Sequence, residues 1–541
     1  MSPPGRIPSS PTRSRTAWRS GWRCSTCWPA GAVPRPRRRR HEGARVVIAP
    51  QQPAVGELVA ELEISRAWLV DPWSGREGAA DIVVREGRLD AVTWLDQGEA
   101  EGADRAGVVV APGFVDLHAH FREPGFEDAE TIGSGCAAAA HGGFTTVCVM
   151  PNTSPPLDDA GLVAQVRALA SASGSPVRVL PYGAVTVRRE GERLAPIGEL
   201  ADAGVAGFSD DGSPVRSAAV LRNALAYAGM ARLPVVDHPE DLSLTEGAEA
   251  NDGLVATVLG LRGWPAAAEE TAVGRDLAIL ADVVRDVPSA RLHLTHVSTA
   301  GALDLVRRAK AAQLPVTCDV TPHHLALTDE WLAGARRLAW ESTGDPWQDG
   351  GIVAPPYDSS LRVNPPLRSA ADAAACLEAV LDGTVDAIAT DHAPHTVVDK
   401  QVEFGAAANG ISGIETALGL LLAAVDAGRL PLARAIEAMS AGPARILGDR
   451  FVPSAGLVEG ELVDLVVFDR SAEWLVSEET LASRGKNSPL LGRRLPGTVL
   501  LTIARGRLAY ARRPGVAARD PRQAHEAAPA ARRHRPRSRG S

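Results

Sequence analysis

Apolar residues in this chain arrive in short runs, and from residue 112 to about 450 two kinds of run alternate. Runs rich in β-branched and aromatic residues occupy 113–121, 144–150, 177–185, 205–209, 234–238, 291–297, 315–320 and 385–390. Between them lie Ala- and Leu-rich stretches, such as Ala129–Ala140, Ala218–Ala228 and Glu270–Val284, long enough for crossover helices. Eight such units predict an α/β fold with a closed (β/α)8 TIM-like barrel over 112–450, its chemistry at the C-terminal ends of the strands. Ahead of the barrel, alternation at Glu63–Val70, Asp81–Val84 and Gly107–Val110 reads as strands. Asp464–Phe468 and Thr498–Ala504 match them downstream, with Gly485–Pro496 loop-like between. Residues 58–111 and 451–512 are therefore expected to build one small β-sandwich domain from both flanks of the barrel.

The pattern stops outside residues 58–512. Residues 1–57 mix Pro, Arg, Ser and Trp without periodicity, and no apolar h-region follows the basic stretch as a signal peptide requires. They are expected to be a disordered basic extension; their Arg- and Ser-rich, acid-poor composition also suits a transit peptide or a start codon placed too far upstream. The Pro/Arg/Ala-rich residues 513–541 read as a disordered basic tail. Cys24 and Cys27 form a lone CxxC, and with no second pair at zinc-ribbon spacing it reads as incidental. Inside the barrel, residues 329–362, with Trp340, Trp347 and Gly350-Gly351, make a long connection that reads as a disordered surface insertion, the alternative being a mobile lid.

Charge and composition narrow the class. The 541 residues carry a net charge of −8, but residues 1–56 hold eleven Arg against Glu42 and residues 513–541 hold eight Arg against two acids. The acidic middle excludes a nucleic-acid-binding surface. No run reaches the roughly 18 apolar residues of a membrane span. Six scattered Cys form no disulfide framework, so a reducing cytoplasm is the expected location.

Of the 13 His, ten lie between residues 118 and 395, most at the end of a predicted strand. His118 and His120 flank Ala119, so both project from one face of a strand, with Arg122 next in line. His238 and His296 end the fifth and sixth strands, Asp210-Asp211 the fourth and Asp391 the eighth. Imidazoles joined by carboxylates suit Zn²⁺ better than Mg²⁺ or Ca²⁺, which favour all-oxygen shells.

The stretch Pro112-Gly-Phe-Val-Asp-Leu-His-Ala-His-Phe-Arg-Glu-Pro-Gly125 resembles the signature of dihydroorotases in the amidohydrolase superfamily. Met150-Pro-Asn-Thr153, Phe208-Ser-Asp-Asp-Gly212, His238-Pro-Glu-Asp241, His296-Val-Ser-Thr299, Thr321-Pro-His-His-Leu325, Val363-Asn-Pro-Pro-Leu-Arg368 and Asp391-His-Ala-Pro-His395 follow in the family's order. The resemblance covers about residues 58–512. It implies that His118 and His120 hold one metal ion, His238 and His296 a second, and that Asp391 completes the shell of the first. Many relatives bridge two metals with a carboxylated Lys. Here the only Lys are 310, 400 and 486, so none lies on the fourth strand. The resemblance then points to the class that bridges with Asp, at Asp211, with Asp210 its neighbour.

What the resemblance implies further is the reversible cyclisation of N-carbamoyl-L-aspartate to L-dihydroorotate with loss of water, in de novo pyrimidine synthesis. One or two Zn²⁺ per subunit would serve it, with Asp391 as the catalytic proton shuttle. Arg122, Asn152 and His395 match the family's α-carboxylate clamp; His120, Asn364 and the backbone at Asn409-Gly410 match its other substrate contacts. His323 and His324 read as supporting residues, His392 as a support for the Asp391 loop, and His141 and His293 as lacking partners. Homo-oligomerisation and association with aspartate transcarbamoylase stay open. The rival enzymatic reading is a hydantoinase, dihydropyrimidinase or allantoinase, which usually has the bridging Lys. The non-enzymatic rival is a dihydroorotase-like scaffold subunit.

Overall fold

The computed structural model describes residues 44–49, 53–96, 107–453 and 456–512. Cys24, Cys27, most of the basic extension and the tail 513–541 lie outside them.

The strands at the centre are parallel. Phe114–Ala119 pairs with Phe144–Val149, which pairs with Arg178–Pro181. Val235–Asp237 pairs with Leu292–Leu294, which pairs with Val316–Val320, which pairs with Ala387–Ile388. Two single-residue links close the ring: Phe208 bridges Gly183 on one side and Val235 on the other, and His392 bridges Ala119. The strand expected at 205–209 is thus reduced to Phe208. Gly207 explains part of this, since its missing side chain lets Pro234 O approach to 2.9 Å of where a Cβ would stand.

Helices cover the ring, and their starts are legible in polar caps. Thr131, Asp159, Ser217, Thr299 and Ser369 each accept a backbone N–H of the first turn of the helix that follows. Between ring and helices, Phe114, Phe144, Phe208, Leu221, Leu280, Leu292 and Val306 are fully buried in one continuous core.

Eight strands from both flanks form a second sheet, in the order Arg507–Ala511, Arg494–Ala504, Leu465–Leu475, Val108–Pro112, Glu61–Asp71, Arg76–Arg85, Arg88–Trp94, with Arg45–Ala49 pairing Glu61–Asp71. Leu62, Ile64, Leu69, Ile82, Leu465, Val467, Leu501 and Ile503 fill its own core. Val108–Pro112 runs into the first barrel strand, so the HxH segment is anchored by the sheet behind it.

Three expectations are corrected. Arg45–Ala49, assigned to the unfolded extension, is a strand whose backbone pairs antiparallel with Glu61–Ser65. Arg494–Pro496, expected as loop, opens a strand that pairs with Glu473–Leu475. Residues 329–362 are no unfolded insertion. Trp331, Leu332 and Leu338 are buried with Leu327, Leu361 and Val363 in a second core cluster, and Trp331 Nε1 donates to Arg337 O at 2.6 Å.

Candidate metal centre and substrate pocket

All six expected metal-holding side chains meet at the C-terminal mouth of the ring, and each is buried. His118 Nε2 lies 3.2 Å from His120 Nε2, and His238 Nδ1 lies 2.9 Å from His296 Nε2. Asp211 stands between the pairs. Its Oδ1 is 3.4 Å from His118 Nε2, 3.3 Å from His238 Nδ1 and 3.5 Å from His296 Nε2, while Oδ2 is 3.6 Å from His120 Nε2. Asp391 Oδ1 lies 3.1 Å from His120 Nε2 and 3.5 Å from His118 Nε2. Asp210 points elsewhere, accepting Val185 N at 2.9 Å and Thr186 N at 3.1 Å.

Outer partners set which ring nitrogen faces inward. His120 Nδ1 lies 3.0 Å from Asn152 Oδ1, an acceptor, so it carries the proton and Nε2 keeps its lone pair. His238 Nε2 lies 2.9 Å from Glu240 Oε2, which leaves Nδ1 as its inward lone pair. His118 Nδ1 lies 2.7 Å from Thr295 Oγ1, whose hydroxyl reaches Asp319 Oδ2 at 3.2 Å. A proton on His118 Nδ1 continues that relay and again frees Nε2 inward.

Facing lone pairs beside two carboxylates repel each other unless a cation sits among them. Asp211 Oδ1 is buried without a hydrogen-bond partner. Protons can supply that charge in place of a metal ion: burial would lower the His118 and His238 imidazoles, but the adjacent carboxylates outweigh it and draw them up to about 9 and about 10. Burial likewise opposes ionisation of Asp211 and Asp391, yet the surrounding imidazoles hold both carboxyls well below the usual range. The cluster demands positive charge, and the triads His118/Asp211/His296 and His118/His120/Asp391 have ligand atoms close enough to hold a metal ion.

The backbone is bent to aim these groups. Arg122, His296 and Asp391, all at strand ends, have φ of 61°, 42° and 45°, a region that costs a non-glycine residue about 1–3 kcal/mol. Asp116 and Asp319 secure the bends from below. Asp116 Oδ1 accepts Thr390 N at 2.9 Å and His118 N at 3.2 Å, and Asp319 Oδ1 accepts His296 N at 2.6 Å.

The expected substrate contacts ring the mouth, most of them half-buried. Arg122 Nε donates to Pro394 O at 3.0 Å, and Arg122 Nη2 lies 3.1 Å from His395 Nε2. Burial and Arg122 push the His395 imidazole down to about 3, so it is neutral. Asn364 Nδ2 donates to Glu240 Oε2 at 3.0 Å, leaving its oxygen free to face a ligand. The Asn409 side chain is taken up by Arg362 Nε at 3.1 Å, so that position offers backbone only.

Among the described residues, His323 is buried with its Nε2 unpartnered, and the other histidines are engaged. His293, expected to be unpartnered, lies 2.8 Å from both Thr317 Oγ1 and Asp319 Oδ2, and His141 pairs with Glu415. His324 Nε2 lies 3.1 Å from Pro365 O, and His392 O accepts His120 N at 2.8 Å. Sequence reasoning missed Glu240, which joins His238 to Asn364, and Asn487, which donates to Ala393 O and Gly410 O at 3.0 and 2.9 Å. Glu240 lies inside a quoted motif and an i+2 spacing from His238 marks it; nothing local marks Asn487.

The dihydro-orotase-like family profile matches residues 107–300. Dihydroorotases of Anaeromyxobacter dehalogenans (strain 2CP-1), Pelotomaculum thermopropionicum and Geobacter metallireducens are 45%, 42% and 41% identical over 82%, 83% and 82% of this chain, and over 96%, 98% and 98% of their own lengths. Among solved structures, an L-hydantoinase (dihydropyrimidinase) from Arthrobacter aurescens is similar with a TM-score of 0.67 over 83% of this chain and 95% of its own, at 24% identity. A D-hydantoinase from Bacillus sp. AR9 gives 0.64 at 21% identity, over 83% and 95%. These structural likenesses support the barrel with its flanking sheet, and the sequence relatives go further: this chain belongs to the dihydroorotase family.

Proposed function

We propose that this chain is a dihydroorotase, a zinc-dependent cyclic amidohydrolase interconverting L-dihydroorotate and N-carbamoyl-L-aspartate. The observation that carries the reading is the pairing of a buried four-His, two-Asp cluster with Arg122, Asn152 and His395 at its lip. Dihydrouracil and hydantoin lack the carboxylate that such a lip would bind. The inward nitrogens of the two His pairs are 2.9–3.2 Å apart, close to the roughly 3.3 Å between two ligands of one tetrahedral Zn²⁺. His118 and His120 would hold one ion, His238 and His296 the other, with Asp211 between them and Asp391 on the first. Bound there, Zn²⁺ supplies Lewis acidity at the amide carbonyl and makes hydroxide accessible near neutral pH.

The chain's own groups do the rest. Arg122 presents a planar fork to the substrate carboxylate. Asn152, with its oxygen occupied by His120, has its amide donors left for the substrate, and neutral His395 adds a ring nitrogen. Asn364 offers its free oxygen to a ring N–H. Asp391, held as a carboxylate, takes a proton from the attacking water on ring opening and passes it to the departing ring nitrogen, and ring closure reverses both transfers.

N-carbamoyl-L-aspartate is a small dianion and L-dihydroorotate a small monoanion, and both present the carboxylate that this lip fits. Among the described residues no helix is long and apolar enough to cross a membrane. Ring opening of L-dihydroorotate, followed in both directions with hydantoin and dihydrouracil as controls, tests the reading. Preference for a control would move the chain to a cyclic-amidase relative; bound metal with no turnover of any of them would favour the scaffold role.

A further inference from the structure

The chain has three Lys. Lys310 pairs with Asp386 and Lys486 caps the carbonyls of Leu481 and Ser483. Lys400 is different in what it joins. It ends the short helix Val397–Lys400 after His395, is 5% exposed, and its Nζ donates to Ala408 O at 2.8 Å, Gly410 O at 3.1 Å and Arg362 O at 3.2 Å. An ammonium has three N–H bonds, and here each has a carbonyl.

Those carbonyls belong to the two segments that carry candidate ring contacts. Ala408 and Gly410 bracket Asn409, whose own O lies 2.8 Å from His395 Nε2; Arg362 precedes Asn364 by one residue between them, Val363. Gly410 N donates to Arg362 O at 2.9 Å, so the segments already touch, and the ammonium clamps both sides of that contact. There is little slack. Gly410 has φ of 143°, and a Cβ there would stand 2.6 Å from Ala393 Cβ and 3.1 Å from His395 Nε2.

We propose that Lys400 is a positioning residue for the substrate: its ammonium sets the separation of Arg362–Asn364 from Ala408–Gly410, and with it the places of Asn364, the 409–410 backbone and His395. This rests on the dihydroorotase reading. Charge-assisted bonds are about twice as strong as neutral ones, so the charged form is the effective clamp. Burial pushes the ammonium down to about 7, with Asp358 acting upward and Arg362 downward. Arg336, Asp358, His395, Glu478 and Lys486 also line the cavity of about 430 Å³ that Lys400 borders. As pH rises through that value the amine keeps two donors for three carbonyls and the clamp loosens.

The experiment compares wild type, Lys400→Met and Lys400→Arg as full chains, measuring kcat and KM for L-dihydroorotate across pH, metal content and the thermal midpoint. Lys400→Met is expected to raise KM about tenfold, one lost positioning contact, with kcat and metal content nearly unchanged. Wild type is expected to show KM rising above about pH 7, and Lys400→Arg, which keeps its charge, to restore most of the KM and flatten that rise. A lower midpoint for Lys400→Met with wild-type KM overturns the proposal, as does a wild-type pH profile in Lys400→Arg, which stands alone if Lys400→Met does not fold. Failure of wild type to open dihydroorotate counts against the functional reading instead, and the same comparison is then made on whichever cyclic amide wild type opens.

Discussion

Glu240 Oε2 lies 2.9 Å from His238 Nε2 and 3.0 Å from Asn364 Nδ2, so one carboxylate oxygen orients both a candidate metal-holding imidazole and a candidate substrate-binding amide. The arrangement gives the carboxylate two tasks that a single substitution separates from catalysis itself. His238 beside it, outweighing burial, holds the Glu240 carboxyl down at about 2, so it stays charged at working pH.

Glu240→Ala is expected to weaken metal binding about 10–100-fold, the usual cost of removing such an outer partner, and to raise KM through the loosened Asn364. Competition with a chelator gives the first number and steady-state kinetics the second. Unchanged metal affinity would mean that His238 is oriented by other contacts.

The neighbours Asp210 and Asp211 are expected to part company. Asp211→Asn should lose bound metal, since its carboxylate faces all four imidazoles. Asp210→Ala should keep the metal count and lose stability, because two buried amides lose their acceptor at about 1–3 kcal/mol each. Metal per chain by elemental analysis and urea midpoints distinguish them; metal loss in Asp210→Ala alone would exchange their roles.

Asp391→Ala is expected to leave the fold intact and to lower turnover by at least about 10²–10⁴-fold, the contribution of a positioned acid–base group. Circular dichroism and single-turnover assays on metal-loaded protein check it. Retained activity would remove Asp391 from proton transfer.

Stability should respond to pH through Asp329, which pairs with Asn251 and takes no part in the metal cluster. Burial, with Glu330 and Asp372 nearby, raises its carboxyl to about 6 despite a bond from Asn251 Nδ2 at 2.9 Å. A folded-state value above the unfolded one means that the folded chain binds more protons between about pH 4 and 6, so stability falls as pH rises through that window. Asp329→Asn keeps an acceptor for Asn251 and removes the charge. It is expected to stabilise the protein by about 3 kcal/mol at neutral pH and by nearly nothing near pH 4, read from urea midpoints.

Much of this architecture is legible in the sequence for simple reasons. Period-two spacing puts His118 and His120 on one face, and the barrel places strand ends together, so His238, His296 and Asp391 are brought to the same mouth. Adjacent Asp residues defeat that reasoning: only the acceptance of Val185 and Thr186 N–H groups by Asp210, just past the Phe208 bridge, decides which carboxylate turns inward. Long-range partners are invisible for the same reason. Asn487 reaches Ala393 and Gly410 across 94 and 77 residues, and Trp331 is buried by side chains from Leu327 to Val363 in a segment without strand or α-helical periodicity. Composition alone made that segment look unfolded, because its helical turns are short 3₁₀ pieces that carry no amphipathic pattern.

Metal dependence of ring opening is tested most directly by one titration. Protein stripped by chelation is reloaded with Zn²⁺ in steps, while bound metal and the ring opening of L-dihydroorotate are measured on the same samples. Activity that disappears on stripping and returns with the bound metal is the predicted result. Full turnover of dihydroorotate by metal-free protein would contradict it.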